Sequence, residues 1–160
     1  MPNRTLTTPQ NMKPETIESL QELVRALNDS TAYHIEAADK ISDDEFVANT
    51  LRAVAAERHE ICEELSGYVT LADESPAEEG TFMGNMRSIW TTFRAGLNSG
   101  DATVVLIEAE KAEDVIVNKF MNVLPEIAGN PINDKLNEFF MKVKSGHDRV
   151  LGLRNAYQNS

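Results

Sequence analysis

Residues 14–46, PETIESLQELVRALNDSTAYHIEAADKISDDEF, decide the fold. When successive residues step about 100° around an axis, Ile17, Leu20, Leu23, Val24, Leu27, Thr31, Ala38 and Ile41 share one stripe, which predicts an amphipathic helix from Pro14 to Ile41. The next residues, ISDDEF, read as a second helix start. Ser42 is the N-cap and Glu45 the N3 partner of a capping box, and Ile41 and Phe46 form a hydrophobic staple. Two long helices joined by a short turn make an all-α chain.

The second helix is expected from about Asp43 to Val69, with Leu51, Val54, Ile61, Cys62 and Leu65 facing inward, before a loop at LADESPAEEG, residues 71–80. Met83, Met86, Trp90, Phe93 and Leu97 follow at helical spacing and are stopped by NSGD, where Asp101 can cap a continuation carrying Val105, Ala112, Val115, Ile116 and Val123. The third helix is therefore expected to be broken near residues 98–101. Asn130 and Pro131 then predict the start of a fourth helix through Leu136, Phe139, Phe140, Val143, Val150 and Tyr157. With no strand pattern, the economical packing is an up-down-up-down four-helix bundle over residues 14–160, preceded by a flexible arm at 1–13.

The 160 residues carry a formal net charge of −11, which opposes binding to nucleic acid or to an anionic membrane. No run approaches the roughly 20 apolar residues of a membrane span, and the start lacks the apolar core of a signal peptide, so a cytoplasmic protein is expected. The single cysteine, Cys62, excludes an internal disulfide and reads as a small buried hydrophobe. Neither a glycine-rich phosphate loop nor a nucleophile elbow is present, so no catalytic residue is assigned and a non-enzymatic role is expected. Met83, Met86 and Met121 read as packing residues rather than a copper site. The amino-terminal arm and the Trp90 segment suggest a homo-oligomer.

Polar residues on the inward stripes are the remaining candidates. In AAERHEICEEL, residues 55–65, the helical phase puts Arg58 at the centre of the buried stripe and turns Glu57 and His59 outward. Glu57, Glu60, Glu63 and Glu64 form a solvated face. The same phasing places His34, Glu108, Lys119, His147 and Arg154 inward, with Lys119 reaching back to solvent. Glu108, His147 and His34 are candidate ligands for iron or another transition metal, since two imidazoles and a carboxylate make a familiar triad. The preferred reading is a buried network of Arg58, Glu108, His147 and Arg154 with no cofactor, because buried charges must be paired.

The segments LNDSTAYHIEAADK, MRSIW, EAEKAEDVIVNKF and GHDRVLGLRNAY resemble a small bacterial family of ferritin-like bundles classed as a domain of unknown function. Arg87 with Trp90, the run Glu110, Glu113 and Asp114, and His147 with Arg149 and Arg154 are its most specific pieces. The resemblance implies a ferritin-like four-helix fold, a bacterial cytoplasmic protein, a stress association and oligomerisation. It does not carry over a di-iron centre. Each Glu-x-x-His pair of that pattern is broken, by Ala56 before His59 and by Lys144 before His147.

Overall fold

The computed structural model describes residues 12–71, 98 and 100–159. Four long helices account for most of them: α1 (Pro14–Lys40), α2 (Glu45–Leu71), α3 (Ala102–Val123) and α4 (Asn133–Gln158), with a 3-10 turn at Leu124–Ile127 between the last two. No strand occurs among the described residues. The expected flexible arm, apart from its last two residues, and the expected short helix around Trp90 lie outside this range. Met12, at the end of that arm, is buried in the core.

Local chemistry sets the helix starts. Pro14 opens α1 at a position where its missing N–H costs nothing. The second start differs from the Ser42–Glu45 capping box, because Asp44 is the residue whose carboxylate accepts from Val47 N (3.1 Å), and Phe46 is exposed rather than stapled to Ile41. Residues 42 and 43 are instead used to hold α3. Ser42 N donates to Gly100 O (3.4 Å), and Asp43 Oδ1 accepts from Ala102 N (3.2 Å). Gly100 has φ 72°, a left-handed turn that an L side chain would strain. Asp101 caps α3 as expected, accepting from Thr103 N (2.8 Å) and Val104 N (3.2 Å). At the last turn Asn130 accepts from Ile132 N (3.1 Å), but the helix itself begins at Asn133, so Pro131 lies before it and not at its first position.

These contacts fix the direction of every helix. The start of α3 lies beside the α1–α2 turn, and Tyr157 near the end of α4 donates to Asp44 (2.5 Å) at the same end. At the opposite end, Ser19 near the start of α1 donates to Glu126 (3.0 Å) after α3, and Lys119 meets Glu22 (3.0 Å). The order is therefore up, down, down, up. The expected up-down-up-down order is corrected: α2 ends at the base and α3 begins at the top, so these two helices run parallel. Helix α1 packs most extensively on α2 and α3 on α4, with α1 also against α3 and α2 against α4.

The buried core falls into two apolar halves. The lower half brings together Leu20, Leu27, Ile61, Leu65, Phe120 and Phe139, and the upper half Tyr33, Leu51, Val54, Leu106 and Val150 with several alanines. On each helix the break between the halves falls at one height, marked by His34, Arg58, Glu113 and Gly146.

Replacing Asp101 with alanine should lower stability by about 1 kcal/mol, the usual effect of losing an N-cap. Replacing Ser42, which caps no helix among the described residues, should change it by less than about 0.5 kcal/mol. Chemical denaturation of both variants checks this.

Candidate functional site: a charged layer between two apolar halves

Arg58, His34 and Glu113 are each fully buried, at 0% exposure, and they form one layer across the bundle. An isolated charge at such a depth would lose several kcal/mol of hydration, so each must be matched. Arg58 Nη2 pairs with Glu113 Oε1 and also donates to Val143 O (3.3 Å) on α4. The second oxygen of Glu113 faces His34 Nε2 at 3.1 Å, and His34 Nδ1 lies 2.8 Å from Ser30 O. Both ring nitrogens of His34 thus face oxygen atoms, one on α3 and one on its own helix. Burial by itself would raise the Glu113 carboxyl, but the charges of His34 and Arg58 outweigh it and hold the pKa below the ordinary glutamate value.

The layer has room for a guanidinium because α4 contributes Gly146 there. A Cβ at that position would lie 2.9 Å from Arg58 Nη1 and 3.1 Å from Nη2. An arginine end can usually move aside. This one is held by Glu113 and Val143 inside a packed interior.

A second polar group lies outward of the layer on the α3–α4 seam. His147 Nε2 is 2.8 Å from Asp114 Oδ1 and 3.7 Å from Glu110 Oε2, and His147 Nδ1 is 3.1 Å from Asp148 Oδ1. Arg154 holds the other oxygen of Glu110 at 2.9 Å. Burial, joined by the neighbouring Asp114 carboxylate, raises the Glu110 carboxyl despite Arg154 and His147. Burial would lower the His147 imidazolium, but hydrogen bonds to Asp148 and Asp114 and the charges of Asp114 and Glu113 overcome it and raise the pKa.

The residues singled out from the sequence are thus distributed differently from expectation. Arg58 is at the centre of the buried stripe, as the helical phase required, while Glu57 faces outward and pairs with Arg149 (2.9 Å). Glu108, His147 and His34 are not brought together. His34 meets Glu113, His147 meets Asp114 and Glu110, and Glu108 pairs with Lys111 (3.4 Å) one turn along its own helix. The acidic partner of Arg58 is Glu113 and that of Arg154 is Glu110, so the expected role of Glu108 in the network passes to residues two and five positions along the same helix. Lys119 reaches Glu22 on α1. Cys62 is buried as expected, with burial pushing its thiol up to about 11. Glu113 was legible in principle: Leu106, Ala109, Glu113, Ile116 and Phe120 recur at three- and four-residue steps, and all are buried. The phase drawn through Val115, which is only partly buried, displaced it.

Two measurements test the layer. Gly146→Ala should destabilise the protein although alanine favours helix, whereas Gly152→Ala on the same helix, with nothing within 4 Å of its added Cβ, should stabilise it by about 0.5–1 kcal/mol. Stability should also depend on pH from both sides in chelator-treated protein. A lowered Glu113 pKa contributes stability present above the unfolded value of about 4.3 and lost as pH falls through the folded value. A raised His147 pKa contributes stability present below about 6.5 and lost as pH rises through the folded value. Denaturation curves across pH should therefore show the acid-side loss reduced in Glu113→Gln and the alkaline-side loss reduced in His147→Gln.

Comparison with known proteins adds one match. A family model described as a domain of unknown function, DUF2383, matches residues 15–126, which cover α1, α2, α3 and most of the 3-10 turn. No curated protein and no solved structure matches the chain. With most of its length and the Arg58–Glu113–His34 layer inside the matched region, the chain belongs to the DUF2383 family.

Proposed function

We propose that the chain is a ferritin-like bundle that has replaced an interior metal centre with a side-chain cation and acts without catalysis, through protein contacts that include self-association. The observation that carries this reading is the Arg58 guanidinium, buried between the four helices and neutralised by Glu113. Ferritin-like di-iron proteins place a glutamate from each of two helices and a Glu-x-x-His pair from each of the other two in that interior. Here the layer offers one carboxylate, already shared by Arg58 and His34, and the two Glu-x-x-His positions hold Ala56 and Lys144. A cation placed there would have to displace a guanidinium whose charge opposes it.

The parallel directions of α2 and α3 support the ferritin-like reading, since they call for the one crossover connection that distinguishes ferritin-like bundles from simple up-and-down ones. With the interior filled, contacts are left to the outside of the bundle. There Phe46, Met121, Met141 and Ile35, on four different helices, remain exposed at 64%, 54%, 68% and 47%, each an apolar side chain open to protein contact. No helix among the described residues is long and apolar enough to cross a membrane.

Untagged protein should sediment above the mass of one chain at micromolar concentration, and it should not accelerate aerobic oxidation of added ferrous iron. A monomer would remove self-association. Iron oxidation that is abolished by Glu113→Gln would reinstate an interior metal centre.

A further inference from the structure

The α3–α4 seam carries a group that the interior layer does not use. Glu110 and Asp114 are four residues apart on α3, which puts their carboxylates on one face, and His147 reaches between them from α4. One donor atom from each of the three lies within 4.8 Å of the other two. From the geometry we infer that Glu110, Asp114 and His147 form a binding site for one divalent transition-metal ion of zinc type.

Three features support that assignment. The first is the setting of the imidazole: Nδ1 is held by Asp148 at 3.1 Å, leaving Nε2 aimed at Glu110 and Asp114. Histidines that bind metals use their remaining ring N–H in this way, which fixes the tautomer and makes the free nitrogen more basic. The second is electrostatic. With the Nδ1 proton given to Asp148, the lone pair of Nε2 faces two carboxylates, and three acceptors converge on one point. They require a cation between them, which is a proton on Nε2 or a metal ion. The third is that Arg154 takes only one oxygen of Glu110, at 2.9 Å, and leaves Oε2 turned toward His147. Glu110 is buried and fixed by that contact, while Asp114 is more than half exposed and can shift to admit an ion. Ligand distances of about 2.0–2.2 Å put tetrahedral donors about 3.4 Å apart, so the 3.7 Å between His147 and Glu110 is near that spacing and Asp114, at 2.8 Å from His147, has only to move outward slightly.

The imidazole selects the class of ion. Carboxylates alone would suit magnesium or calcium, whereas an imidazole with two carboxylates favours zinc and its neighbours. Three protein donors leave a further position open, and the exposure of Asp114 places it toward solvent. The site differs from the interior layer, and its failure would leave the Arg58–Glu113 reading intact.

Titration calorimetry of the untagged, chelator-treated full chain with zinc and with magnesium tests the inference. One zinc per chain is expected, with magnesium at least tenfold weaker. His147→Gln and Asp114→Asn should each weaken zinc binding at least tenfold, and the exposed Asp114 gives a variant whose fold can be checked by far-UV circular dichroism. His59→Gln, on the exposed face of α2, should leave binding unchanged. Absence of zinc binding would overturn the site. So would zinc binding that survives both seam variants or is lost with His59→Gln, and so would equal binding of magnesium, which would mark a diffuse acidic surface.

Discussion

The pairing of Arg58 with Glu113 is the constraint to which the rest of the bundle is fitted. Neither charge is tolerable alone at zero exposure, and their attraction repays desolvation only if both are held in place. Holding them recruits all four helices: Arg58 from α2, Glu113 from α3, His34 from α1 on the second carboxylate oxygen, and from α4 a carbonyl at Val143 and the absence of a side chain at Gly146. A slip of any helix by one residue would turn its member about 100° away from the layer. The charged layer thus sets register in a way that interchangeable leucines and valines would not. A buried polar group that fixes register is the best-supported use of such pairs.

Seen from that layer, the two apolar halves have different characters. The lower half is built from leucine, isoleucine and phenylalanine, while the upper half includes Ala37, Ala38, Ala48, Ala102, Ala109 and Ala112. Small side chains bring helix axes closer together, and the upper end is also where Ser42, Asp43 and Asp44 tie the α1–α2 turn to α3 and α4. Side-chain and backbone hydrogen bonds there do what bulk packing does below. The same contacts force α3 to start at the top and so require the chain to return from the base.

The helices themselves were readable from periodicity and punctuation, because stripes such as Leu20, Leu23, Val24 and Leu27 are laid down by a local period and Asp101 caps by a local bond. Helix direction was not readable. Nothing local in residues 71–80 says whether the chain turns back or runs the length of the bundle; only the long-range bonds of Ser42, Asp43 and Tyr157 decide that. The charged site was half readable. Arg58 stood out because a lone arginine in an apolar stripe has no other explanation. Its partner was displaced because α3 carries Glu108, Glu110, Glu113 and Asp114 within two turns, and a phase drawn through Val115 selects Glu108 over Glu113, which stands about 140° around the helix from it. The capping box failed for a related reason, since ISDDEF holds three residues able to cap and tertiary demand from α3 chose among them.

A four-helix bundle whose centre is closed by its own guanidinium is held in register by a covalently attached cation. That account stands or falls on whether Arg58 and Glu113 are energetically coupled. The direct measurement is a double-mutant cycle of Arg58→Met and Glu113→Gln by chemical denaturation. Each single variant should lose about 3–5 kcal/mol because a buried charge is left unmatched. The double variant should lose less than the sum of the two by about 2 kcal/mol or more, within the range seen for residues in direct contact. Losses that add to within about 0.5 kcal/mol would show the two side chains to be independent and would contradict the account.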